Sequence, residues 1–140
     1  MNRMTSNSPI YVYPAVFTPE PEGGYYIHFP DIENCFTSGD SIEEGIMMAE
    51  EALALMVYTN YEEKGVPAPS STHIKDIKLG DNEFASYVTC DTTQCRRKFG
   101  TRAVKKTLTI PEWLNEAATR EHINFSQVLQ DALKERLNVS

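Results

Sequence analysis

The 140-residue sequence contains no apolar run near the ~20 residues that a membrane-crossing helix needs. Its opening, MNRMTSNSPI, lacks the apolar stretch of a secretory signal. A cytoplasmic protein with no membrane partner is therefore the expectation. Cysteine is scarce: Cys35, Cys90 and Cys95 form no CxxC pair and leave at least one thiol unpaired. They read as reduced structural thiols. Even with His73 their spacing matches no common zinc pattern, so no metal and no cofactor is expected. The first strand-like stretch, Ile10 to Phe17, has no carboxylate, while Asp31, Asp40, Glu43 and Glu44 fall in a turn and a helix start. A two-metal nuclease needs clustered carboxylates. No Ser or Cys has an identifiable activating neighbour, and His28 on an apolar strand reads as structural or surface. The chain is expected not to be an enzyme. Internal repeats and low-complexity tracts are also missing.

What is present is charge of uneven sign. The formal net charge of −7 divides sharply. Residues 1–95 hold four basic and fifteen acidic residues, net −11; residues 96–140 hold nine basic and five acidic, net +4. Such asymmetry points to two partners of opposite charge. The acidic half suits a basic protein, and the basic half suits nucleic acid. An acidic surface that only keeps the chain soluble is the plainer alternative for the first half.

The periodicities place the elements. Residues 1–9 read as a loose tail. IYVYPAVF (10–17) is a strand, with Pro14 placing it at an edge or a bulge. TPEPEGG is a turn, YYIHF (25–29) a second strand, and 35–38 a short third one. Ser41 caps a helix, with Glu44 completing a capping box. Ile42, Ile46, Ala49, Leu53, Met56 and Val57 supply its apolar face, and it runs to about Lys64 before Gly65. FASYVTC (84–90) is a fourth strand, and 91–100 a short helix closed by Gly100. The expected class is α+β: a small sheet-plus-helix domain over 10–91, a short helix and linker over 92–103, and a separate module over 104–140.

That last module carries the most specific pattern. VKKTLTI (104–110) alternates, with Lys105, Thr107 and Thr109 on one side and Lys106, Leu108 and Ile110 on the other. Pro111 suits a first helical turn, and Leu114, Ala117, Ala118 and Glu121 share a face of a helix ending near His122. Asn124 caps a second helix, with Gln127 at the box position. Phe125, Val128, Leu129, Ala132, Leu133 and Leu137 form its apolar stripe. Strand, helix, turn, helix in under forty residues buries too little to fold alone. A lone strand also leaves its backbone unpaired. Pairing with the same strand of a second chain answers both problems. The expected shared core is Leu108, Ile110, Leu114, Phe125, Val128, Leu129, Ala132 and Leu133. A two-stranded ribbon fits the DNA major groove. Lys105, Thr107 and Thr109 would meet base edges. Arg102, Lys106 and the helix start at Asn124, Phe125 and Ser126 would meet phosphate.

The stretch AVKKTLTIPEWLNEAATREHINFSQVLQDALKERL resembles the ribbon-helix-helix family. YPAVF followed by GGYYIHFPDIENCFTSGDSIEEGIMMAEEAL resembles the HicB antitoxin family. The two together cover about residues 10–138. The resemblance implies a partial RNase H-like domain followed by a ribbon-helix-helix dimerisation module. It implies an antitoxin that neutralises a HicA-like toxin, a small basic mRNA interferase. It also implies a homodimer that binds double-stranded operator DNA and represses its own operon, with higher oligomers left open. Many ribbon-helix-helix turns hold Gly where this chain has His122, so a differently shaped turn is expected. Asp31, Glu33, Asp40 and Glu43 are candidates to imitate RNA phosphate against the toxin; as turn and cap residues they have an equally good structural reading. The competing function is a stand-alone transcriptional regulator with a ligand-sensing N-terminal domain.

Overall fold

Ile10–Pro19, rich in β-branched and aromatic residues, forms strand β1. It pairs antiparallel along 10–17 with β4 (Phe84–Asp91) and over its last four residues with β2 (Tyr25–His28). Strand β3 (Phe36–Gly39) adds to β2, so the order is β3-β2-β1-β4. The structure is a computed structural model and describes residues 8–140. Most of the expected tail over 1–9 lies outside the described residues, but Pro9 is tied down: its carbonyl accepts the Thr92 amide at 2.9 Å. The edge or bulge expected for β1 is corrected: the strand is interior, and its register with β4 is unbroken over 10–17. Pro14 is tolerated there because it pairs only with Tyr87; β2 begins pairing at Val16.

Helix α1 (Ile42–Val57) covers one face of the sheet. Ser41 Oγ accepts the Glu44 amide at 3.1 Å. Glu44 Oε1 reaches back to the Asp40 amide, one residue earlier than a standard box. Gly45, Ala49, Leu53 and Val57 are its buried residues. They meet Tyr13, Ala15 and Phe17 of β1, Ile27 of β2, and Val88 and Cys90 of β4. Truncating a fully buried side chain such as Leu53 to Ala costs about 2–5 kcal/mol. Ile46, expected in this face, is 37% exposed. The contact line runs at four-residue steps from Gly45, which turns its neighbour outward.

That glycine has a steric purpose. A Cβ on Gly39 would sit 2.5 Å from the Gly45 nitrogen. A Cβ on Gly45 would sit 3.0 Å from Ile27 Cδ1. The first turn of α1 therefore crosses the end of β3 at backbone contact distance.

The helix was expected to run to about Lys64, and helical turns do continue to Glu62. The α-helical part ends at Val57 and widens into a π-helical turn, Tyr58–Glu62, closed by Glu63 N to Tyr58 O at 2.8 Å. Tyr58 stays buried. A long connection then returns to β4, containing a 3-10 turn, Ile74–Asp76. It is pinned at Pro69, whose carbonyl accepts Tyr13 Oη at 2.6 Å, and at Ile74, whose amide donates to Tyr87 Oη at 2.8 Å. Helix α2 (Thr93–Phe99) follows β4 and ends at Gly100.

The chain divides into two compact units between Arg102 and Ala103. The second holds helices α3 (Glu112–Arg120) and α4 (Phe125–Leu137). Residues 101–111 are neither helix nor strand. Residues 104–110 form no ladder with any described residue. The described residues are mixed α+β, with one four-stranded antiparallel sheet among them.

Candidate protein and nucleic-acid interfaces

The structure does not bring the four acidic candidates of the first unit together. Asp31 is held by Thr72, whose amide and hydroxyl donate to its two carboxylate oxygens at 2.8 and 2.6 Å. Its carboxylate anchors the long connection, which is the structural role open to a turn residue. Glu33, Asp40 and Glu43 are exposed. The Glu33 carbonyl accepts Asn60 Nδ2 at 2.9 Å, near the far end of α1, whereas Asp40 and Glu43 flank its start. The sixteen-residue helix separates them by roughly 24 Å at 1.5 Å per residue.

A tighter acidic site lies elsewhere. Glu62, on the π-helical turn, accepts Tyr11 Oη at 2.6 Å, Thr92 Oγ1 at 2.9 Å, Arg96 Nε at 2.9 Å and Arg96 Nη2 at 2.8 Å. Burial raises its pKa, but the hydrogen bonds from Arg96, Tyr11 and Thr92 and the Arg96 charge outweigh that and hold it below 4.5. This joins β1, the end of the long helix and α2 at one carboxylate. It is saturated by internal partners, so its chemistry is structural. Asp91 is likewise held below its ordinary value by the Thr93 hydroxyl and amide.

No group of three or more metal-ligating side chains occurs among the described residues. The Cys35 and Cys90 thiols are pushed up to about 12 by burial, and Cys95 is raised by the same cause. All three stay protonated, which suits neither a metal thiolate nor a nucleophile. His28 lies against Tyr26 with ring centroids 6.0 Å apart, and its Nδ1 is buried with no hydrogen-bond partner among the described residues. No described helix is long and apolar enough to cross a membrane.

The charge division read from the sequence does not coincide with the structural one. Arg96, Arg97 and Lys98 lie on α2 and, with Arg102, belong to the first unit. Residues 1–102 then hold eight basic against fifteen acidic residues, net −7; residues 103–140 hold five of each, net 0. The second unit is not a basic domain.

In that unit Lys105, Lys106, Thr107 and Thr109 are all exposed. Pro111 is the cap of α3 rather than its first helical residue, and its carbonyl accepts the Leu114 and Asn115 amides, each at 3.1 Å. At the other end His122 adopts φ 56°. Its amide donates to Thr119 O and that of Ile123 to Ala118 O, a Schellman closure built on a non-glycine residue. The turn keeps the left-handed geometry that glycine favours. Asn124 Oδ1 accepts the Gln127 amide at 3.0 Å. Gln127 does not complete the expected box; its side chain donates to Asp131 instead. The amides of Phe125 and Ser126, in the open first turn, have no acceptor among the described residues.

The unit has no core of its own in one copy. Neither helix contains a buried residue. Phe125, Val128 and Leu133 are about half exposed, Leu137 is 68% exposed, and Leu108, Ile110 and Leu114 also face solvent. Only Leu129 of the expected shared core is partly covered. Trp113, which the helical periodicity did not single out, is 69% exposed.

Comparison with known proteins gives this arrangement a context. The family described as HicB_like antitoxin of bacterial toxin-antitoxin system matches residues 13–133. "Antitoxin HicB 1" of Photorhabdus laumondii is 40% identical over 70 residues, 48% of this chain and 45% of that one. "Antitoxin HicB" of Escherichia coli K12 is 34% identical over 70 residues, covering 48% and 51%. The matched stretch thus spans about half the length of these curated relatives. Among solved structures, a chain of the "Toxin-Antitoxin complex from Streptococcus pneumoniae" superposes with TM-score 0.56 at 29% identity, covering 91% of this chain and 99% of that one.

Proposed function

Because this chain belongs to the HicB-like antitoxin family, a family of antitoxins rather than enzymes, we propose that it neutralises a small basic mRNA interferase of the HicA-like type. The observation that carries the proposal is the family match across residues 13–133, which takes in both units. The net −7 of residues 1–102 supports it, since an RNA-cleaving toxin must present a basic face. One helix laid on a four-stranded antiparallel sheet is the arrangement we read as a partial RNase H-like domain. Co-expression tests the proposal. The small basic protein encoded beside this gene should co-purify with the full chain and arrest growth without it. A neighbour that neither binds nor is toxic overturns the antitoxin function.

The C-terminal unit we read as one half of a ribbon-helix-helix dimer that binds operator DNA and represses its own operon. The exposed stripe on α4 supports this, because a unit without one buried helical residue needs a partner to fold stably. In the dimer, residues 104–110 would pair with their copy. Lys105, Thr107 and Thr109 would then face the major groove, with Lys106, Arg102 and the α4 start at phosphate.

A further inference from the structure

An open groove of about 780 Å³ lies between α1 and α2 on the first unit. Leu55 and Phe99 contribute apolar surface to it, and each is more than 40% exposed. Glu50, Glu51 and Asp91 supply three carboxylates against one cation, Lys98. Lys98 is already engaged, with Nζ 5.4 Å from the Phe99 ring centroid. Asp91 is hydrogen-bonded to Thr93. Glu50 and Glu51 are exposed, and the one ion pair among the described residues is Arg96–Glu62, so both remain unpaired charges. On α1, Met47, Glu51 and Leu55 follow at four-residue steps with Glu50 beside them. Met47 is 65% exposed and extends the apolar strip beyond the groove.

We propose that this groove docks a cationic segment with an apolar ridge on a basic protein partner. Apolar side chains of that segment would lie over Leu55 and Phe99, and its Lys or Arg residues would pair with Glu50 and Glu51. The proposal rests on the antitoxin function and specifies the surface that performs it. Nucleic acid is repelled by these carboxylates. A second copy of this unit, itself net −7, brings like charge. A cationic protein surface gains both apolar burial and charge pairing, and rejects acidic competitors.

The test is calorimetric titration of the full chain with an inactive form of the toxin encoded beside it. The paired variants are E50K/E51K and a control, E20K/E22K, in the exposed turn after β1, which changes net charge equally. L55S probes the apolar part at constant charge. Thermal melts check that all three fold. The groove variant should bind on the order of 100-fold more weakly, and the control should stay within about threefold. L55S should lose roughly tenfold, with the wild-type affinity falling as salt rises. Unchanged toxin binding by E50K/E51K and L55S overturns the groove while leaving the antitoxin function intact. Equal losses in groove and control variants mean that net charge alone acts, and also overturn it. A shift in oligomeric state instead of toxin affinity would identify a second copy as the occupant and reject the basic partner. Failure of the wild-type chain to bind toxin rejects both proposals.

Discussion

Arg96 grips Glu62 through two donors of its guanidinium fork, Nε to Oε1 at 2.9 Å and Nη2 to Oε2 at 2.8 Å. The two residues are 34 positions apart, and the pair fastens α2 to the end of the long helix. Tyr11 and Thr92 complete the carboxylate's shell. The pair gives the first unit a defined response to acid. A carboxyl whose folded pKa lies below its unfolded value of 4.5 adds stability above that value, and loses it as pH falls through the folded pKa. The thermal midpoint of the first unit should therefore hold steady above about pH 5 and drop below 4.5. E62Q should flatten that acid slope in part, since Asp91 and Glu83 are lowered in the same direction. At neutral pH it should cost about 1–2 kcal/mol. An unchanged acid profile in E62Q would show that the pair is not coupled to folding.

If the proposed C-terminal dimer and its DNA binding hold, replacing Leu133 or Leu129 by Asp should abolish both together. The substitution would place a charge in the proposed shared core, and an unpaired buried charge is not tolerated in an apolar core. Light scattering on the full chain measures the first effect and a gel shift the second. A dimer that survives both substitutions would remove the stripe on α4 as its interface.

The ribbon is tested by separating affinity from assembly. K105A/T107A should keep the dimer and give up about 1–3 kcal/mol of discrimination for each base it no longer reads. K106A should instead weaken binding to all sequences and lower the salt slope by about 0.9 for each phosphate it no longer neutralises. Full operator binding by K105A/T107A at physiological salt would exclude residues 104–110 from the groove.

His122 predicts a gain rather than a loss. A non-glycine residue in the left-handed region carries a steric penalty of about 1–2 kcal/mol, and its φ is 56°. H122G removes that penalty and gives back part of it through the greater freedom of the unfolded chain. The C-terminal unit should be more stable by up to about 1 kcal/mol, read as a higher unfolding midpoint. A lower midpoint would mean that the imidazole itself makes a stabilising contact in the assembled dimer.

Local signals were the legible ones. Ser41 and Asn124 cap where their sequence neighbours require, and the four strands lie within two residues of where alternation and turn chemistry put them. Caps and alternation are decided within a few residues, so a sequence displays them directly. The end of α1 was not legible. Its widening at Tyr58 goes with a carboxylate whose partner lies beyond an entire loop and strand, and nothing near Glu62 announces Arg96. Asp31 stood open to two readings in the sequence, and the partner of its structural one, Thr72, lies 41 positions away and is not announced by anything near Pro30. The charge division failed because α2 carries Arg96, Arg97 and Lys98 into the first unit. Glu50, Glu51 and Leu55 went unremarked as a site because their grouping depends on α2 lying beside them.

The glycine crossing between α1 and β3 has a consequence for how such a surface diversifies. A methyl group on Gly39 would meet the Gly45 backbone at 2.5 Å and cannot be added without tilting the helix, whereas one on Gly45 would press only on the end of the Ile27 side chain. A helix sixteen residues long acts as a lever about that pivot. A small rotation there swings Glu50, Glu51 and Leu55 relative to the sheet by more than it moves the pivot itself. Alteration at the buried Gly39 would thereby redraw the outline of the proposed docking groove. G39A is thus a route to a reshaped groove in which Glu50, Glu51 and Leu55 are all preserved.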